Sequence, residues 1–85
     1  MKRIRVMVVD DNPQFASAAA QFLARNDFEV LANAHSGGEA LARADSEQPD
    51  LMLIDISMPG LNGLAVASLI KARADPPRIV MMTLD

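Results

Sequence analysis

Leu51-Met52-Leu53-Ile54-Asp55-Ile56-Ser57-Met58-Pro59-Gly60-Leu61-Asn62-Gly63 is the stretch on which the fold turns. Four apolar residues run without a polar break into one carboxylate, as a strand buried on both faces would. Met58-Pro59-Gly60 then makes a loop. Asn62-Gly63 precedes a helical stretch in which Val66, Leu69 and Ile70 share a face. A buried strand, a turn and a helix in that order form half of a βαβ unit.

The same grammar extends in both directions. Upstream, Ile4 to Val9 is an apolar run rich in β-branched residues that stops at Asp10-Asp11. Asn12 is placed to cap a first helix and Pro13 suits its first position. Phe15, Ala18, Ala19, Phe22 and Leu23 fall at helical spacing, and Arg25-Asn26-Asp27 ends the run. Phe28, Val30, Ala32 and Ala34 then alternate with Glu29, Leu31, Asn33 and His35, the period of an edge strand.

Ser36-Gly37-Gly38-Glu39 has capping-box spacing and opens a short helix through about Ala44. Gln48-Pro49-Asp50 breaks the chain before Leu51. Downstream, Asp75-Pro76-Pro77 stops the third helix, and Ile79-Val80-Met81-Met82 is a last buried strand ending at Thr83. The order βαβαβαβ implies a mostly parallel α/β sheet with helices on both faces. In a doubly wound sheet of flavodoxin-like order, strands one and three are neighbours, and the ligand crevice lies at their carboxyl ends.

Composition narrows the function. The 85 residues suffice for one small domain. At 51% hydrophobic with three Phe and no Trp or Tyr, the core must come from Val, Leu, Ile, Met and Ala. Cysteine is absent, which excludes disulfides and thiolate metal sites. The basic start Met1-Lys2-Arg3-Ile4-Arg5 is not a signal peptide, because its apolar run ends in aspartates. No apolar run reaches membrane-spanning length, so the expected location is cytoplasmic. A net charge of -3 lacks the electrostatic footprint of a nucleic-acid binder.

The chemistry gathers at strand ends. Asp10 and Asp11 follow the first strand and Asp55 the third, so adjacency of those strands brings three carboxylates into one crevice. Like charges at about 4 Å repel by roughly 1–4 kcal/mol, depending on effective dielectric. A hard cation relieves that repulsion, and an all-oxygen donor set favours magnesium (Mg2+). Magnesium beside a carboxylate suits phosphoryl transfer, with Asp55 as nucleophile. Thr83 is placed to offer its hydroxyl to the transferred group. His35, alone after an edge strand, reads as solvated, and Lys2, Arg3 and Arg5 read as a solvated strand start.

Three segments together resemble the receiver domains of two-component response regulators: the apolar strand before Asp10-Asp11, Leu53 to Gly63, and Val80-Met81-Met82-Thr83. The resemblance covers the whole chain, and its most specific part is the loop that follows Asp55. It implies that Asp11 and Asp55 ligate magnesium directly, that Asp10 acts largely through water, and that Ser57 contributes its backbone carbonyl. It further implies that Asp55 accepts phosphate from a sensor histidine kinase or phosphotransfer protein. Thr83 would swing toward the phosphoryl group.

On this likeness residues 1–85 form a single receiver domain truncated after its fourth strand, with sheet order 2-1-3-4. The fifth strand, the last two helices and the lysine that ends the fifth strand in receivers are missing. Neither Lys2 nor Lys71 is placed to replace that lysine. An open fourth strand predicts self-association through that edge. Met82-Thr83-Leu84-Asp85 resembles receivers joined to DNA-binding output domains, although this segment itself is not expected to bind nucleic acid.

The expected role is that of a signalling switch, not an enzyme. Two alternatives stand beside it. One is a phosphorylation-incompetent pseudo-receiver or dimerisation fragment, favoured by the missing lysine. The other is a magnesium-dependent hydrolase of the haloacid dehalogenase type, opposed by the adjacency of Asp10 and Asp11. A dinucleotide-binding domain is excluded because no G-x-G-x-x-G follows the first strand.

Overall fold

A computed structural model describes residues 2–82 of the chain. Thr83, named above as a site residue, lies outside the described residues. The elements run β1 (Arg5–Val9), α1 (Pro13–Arg25), β2 (Glu29–Ala34), α2 (Gly37–Glu47), β3 (Leu51–Asp55), α3 (Gly63–Lys71) and β4 (Arg78–Met82). The strands form one parallel sheet in the order β2-β1-β3-β4. This is the flavodoxin-like α/β arrangement that the alternation of short apolar runs and helical stretches implies.

The main core lies on the face of the sheet covered by α2 and α3. Met7 and Val9 of β1 pair with Met52 and Ile54 of β3, and all four are fully buried. Ala40 and Ala44 of α2, with Val66 and Ile70 of α3, close over them. Val6 and Val8 point to the opposite face, which α1 covers by packing against β1 and β2. There the cover thins toward β4, where Val80 is 47% exposed.

Two helical faces differ from the spacing argument. In α1 the fully buried residue is Ala16, while Phe22 is 60% exposed. The small side chain at 16 lets the helix approach the sheet closely, which turns Phe22 outward. In α3 the buried face is Gly63, Val66, Ala67 and Ile70, and Leu69 is left half-exposed.

Caps account for the helix ends. The Asn12 side chain accepts hydrogen bonds from the Gln14 and Phe15 amides at 3.0 and 3.2 Å, with Pro13 next to it. Asn62 accepts from the Ala65 amide at 2.9 Å. Helix α2 continues three residues past the expected Ala44 and ends at Gln48 in a left-handed conformation, φ 48°. Arg43 pairs with Glu47 of its extra turn at 3.1 Å and with Glu39 of its first turn at 3.0 Å. Arg5 is not merely solvated. Its guanidinium donates to the Glu47 and Gln48 carbonyls, each at 2.7 Å, satisfying acceptors that the helix end would otherwise strand.

Adjacent residues of α3 provide a direct check. Ile70→Ala should cost about 2–5 kcal/mol of unfolding free energy in urea titrations, because the side chain is wholly enclosed. Leu69→Ala should cost less than half as much.

Candidate functional site

Parallel pairing of β1 with β3 sets Val9 level with Ile54. The next residue on each strand is therefore an aspartate, and both leave the sheet on the α1 face at its carboxyl edge. Two more strands hold the backbone there. The Asp10 amide donates to the Ala34 carbonyl of β2, and the Ile56 amide to the Met82 carbonyl of β4, both at 2.9 Å.

One carboxylate oxygen from each of Asp10, Asp11 and Asp55 lies within 4.8 Å of the others. Asp10 is completely buried, Asp55 is 4% exposed, and Asp11 faces solvent. Local turns hold both buried carboxylates. The Asn12 amide donates to Asp10 Oδ1 at 2.8 Å, and the Ser57 amide donates to Asp55 Oδ1 at 3.0 Å. Each is an aspartate capping the turn that follows its own strand.

Glycine is required where α3 begins. A Cβ at Gly63 would overlap the Asp55 carbonyl, so only glycine lets the helix start against that strand end. Gly60 takes φ 71° in the connecting loop, a conformation that other residues adopt at a cost. Met58 anchors the same loop by burying its side chain in the main core.

Asp10 carries the electrostatic strain. Burial pushes its carboxyl above the ordinary value of 3.8, the Asn12 amide pulls it back, and the Asp55 and Asp11 charges add to the rise. His35 acts in the lowering direction. Asp10 Oδ2 is buried without a hydrogen-bond partner. A buried, unpartnered carboxylate oxygen beside two further carboxylates is costly unless a cation completes it. The donor set is oxygen only, which fits magnesium.

Residues 6–85 match the response regulator receiver domain family. The chain belongs to that family. Among curated relatives, this receiver is 40% identical over 82 residues to the positive alginate biosynthesis regulatory protein of Pseudomonas aeruginosa, covering 94% of this chain and 33% of that protein. It is 34% identical over 70 residues to the DNA-binding transcriptional activator EvgA of Escherichia coli, covering 82% and 34%. The receiver chain thus spans about a third of the length of these relatives. The solved signal receiver domain of the response regulator NarL from Mycobacterium tuberculosis superposes with a TM-score of 0.91 at 30% identity, over 98% of this chain and 68% of that one. Receiver domains and these regulators are signalling proteins, and the chain is placed in two-component signalling. No described helix is long and apolar enough to cross a membrane.

The receiver's three aspartates come together as their spacing implies, with Ser57 beside Asp55. His35 is exposed, as its lone place after an edge strand implies, yet its contacts with neighbouring backbone and side chain were not expected. Its Nδ1 lies 3.2 Å from the Asp10 carbonyl oxygen, and its amide donates to Glu39 Oε1 at 2.8 Å. The available signal was positional: His35 directly follows the strand that flanks β1. A cavity of about 410 Å³ lies at the other end of the sheet between the carboxyl ends of α2 and α3. Arg73 there bridges Asp45 at 2.7 Å, and the acidic residues of the site take no part.

Because the Asp10 pKa is raised on folding, the protein gains most from this group below the ordinary value of 3.8 and loses that gain as pH rises through the folded value. Without divalent cations, Asp10→Asn should therefore melt a few degrees above the parent protein at about pH 7. The gap should close as pH falls toward 3.8. Paired calorimetric scans across that range measure it.

Proposed function

We propose that this receiver accepts a phosphoryl group on Asp55 from the phosphohistidine of a sensor histidine kinase or phosphotransfer protein. The observation that carries the reading is the convergence of the three carboxylates around the unpartnered Asp10 Oδ2. Asp10, Asp11 and Asp55 would hold magnesium, with the Ser57 backbone carbonyl and retained water completing an all-oxygen shell. When bound, the ion supplies positive charge against the phosphoryl oxygens.

The chain's own residues do the rest. A carboxylate oxygen of Asp55 bonds to phosphorus as the phosphorus–nitrogen bond of the donor imidazole breaks, and the leaving imidazole takes a proton from water. The Ser57 amide fixes the Asp55 carboxylate through Oδ1 and leaves its other oxygen free to attack. Burial of Asp55 to 4% exposure limits the water that could compete. Thr83 follows the Met82 position that pairs with Asp55, and its hydroxyl is assigned to the transferred group. The product adds close to two negative charges at the sheet edge, which is the signal.

Residues 1–85 act in this reading as part of one receiver domain, in the cytoplasm. An output domain beyond them, DNA-binding as in the named activator EvgA, would deliver the response. The experiment is incubation with acetyl phosphate and magnesium, followed by intact mass measurement. One phosphoryl adduct is expected, absent in Asp55→Asn. No adduct on the parent protein supports the pseudo-receiver reading, and turnover of added phosphate esters the hydrolase reading.

A second feature concerns assembly. Strand β4 has no partner on its outer edge among the described residues, and Val80 on it is 47% exposed. Antiparallel pairing with a second copy about Val80 would set Ile79 against Met81 and bring no like charges together. Light scattering should give a dimer mass for the 85-residue polypeptide, and Val80→Lys should convert it to monomer. A parent protein that scatters as a monomer contradicts this pairing.

A further inference from the structure

Helix α2 and the acidic site are joined through one side chain. Its N-cap, Ser36, accepts a hydrogen bond from the Glu39 amide at 3.1 Å. Glu39 reaches back and accepts from the His35 amide at 2.8 Å, and Arg43 holds its other oxygen at 3.0 Å. The His35 backbone is therefore fixed by the first turn of α2. From that position the imidazole extends across to β1, where Nδ1 meets the Asp10 carbonyl oxygen at 3.2 Å.

A carbonyl oxygen can only accept, so the ring nitrogen facing it must be the donor. We propose that His35 is held as the Nδ1–H tautomer by the Asp10 carbonyl and is a positioning residue for the divalent-cation site, tying the Asp10-Asp11 turn to the first turn of α2. The inference rests on the cation reading given above.

The effect is mechanical. The Asp10 amide is held by Ala34, and its Oδ1 by the Asn12 amide. Its carbonyl leads into Asp11, the one exposed carboxylate of the three. Holding that carbonyl fixes the peptide plane from which Asp11 extends. Groups that orient ligands in this way typically change metal affinity by about ten- to a hundredfold when removed. With the ring donating through Nδ1, Nε2 carries the free lone pair.

His35 is the sole histidine of the chain, so its ring gives one unmixed set of nitrogen signals. Long-range nitrogen–proton spectra of the neutral ring, at about pH 8, should show the proton on Nδ1 and Nε2 bare. Magnesium titrated into His35→Ala should bind about tenfold more weakly than into the parent protein. His35→Asn, whose side-chain amide places a donor near the Nδ1 position, should recover most of the affinity. Thermal melts of both variants establish that they are folded.

A ring protonated on Nε2 would overturn the proposal. So would a folded His35→Ala that binds magnesium as tightly as the parent, or an Asn variant no better than Ala. A parent protein that binds no magnesium defeats the cation reading instead, and the ring signature, which needs no cation, then decides the His35 contact by itself.

Discussion

The structure depends on the parallel pairing of β1 with β3. Hydrogen bonding that sets Val9 beside Ile54 also sets Asp10 beside Asp55, because each aspartate is the next residue on its strand. The apolar side chains drive this register: Met7, Val9, Met52 and Ile54 are wholly buried on one face. A slip of one residue would turn them to the other face of the sheet. The hydrophobic core thereby enforces a like-charge contact that isolated side chains in water would avoid.

The surrounding groups make that contact tolerable without removing it. Backbone amides from Asn12 and Ser57 each satisfy one oxygen of a buried carboxylate. Gly63 allows α3 to begin against the carbonyl of Asp55, and the buried Met58 pins the loop between them. What is left over is specific: Asp10 Oδ2 has no partner, and the Asp10 carboxyl resists ionisation. The fold holds this strained carboxylate cluster and compensates for its cost through packing elsewhere.

Strand positions, helix caps at Asn12 and Ser36, and the gathering of the three aspartates were legible in the sequence, since each follows from local chemistry or from strand adjacency. Less legible was whatever depends on how a helix rotates against the sheet. Leu69 and Phe22 satisfy helical spacing, yet smaller neighbours, Ala67 and Ala16, take the buried positions because they allow closer approach. The end of α2 was underestimated for a related reason: Arg43 and Arg5 stabilise its last turn, and Arg5 reaches it from a strand more than forty residues away in sequence. His35 belongs to the same class, because its partner is a backbone carbonyl that no side-chain motif announces.

The proposed phosphoryl transfer requires a divalent ion gathered by positions 10, 11 and 55. Manganese, a paramagnetic substitute for magnesium with the same preference for oxygen donors, tests that placement directly in the amide spectrum of the folded protein. Signals from residues 9–12, 34–35 and 55–57 should broaden first, while those of residues 47–50 and 73–78, at the far end of the sheet, remain sharp. Broadening centred on the Asp45–Arg73 cavity, or none attributable to the aspartates, would contradict it.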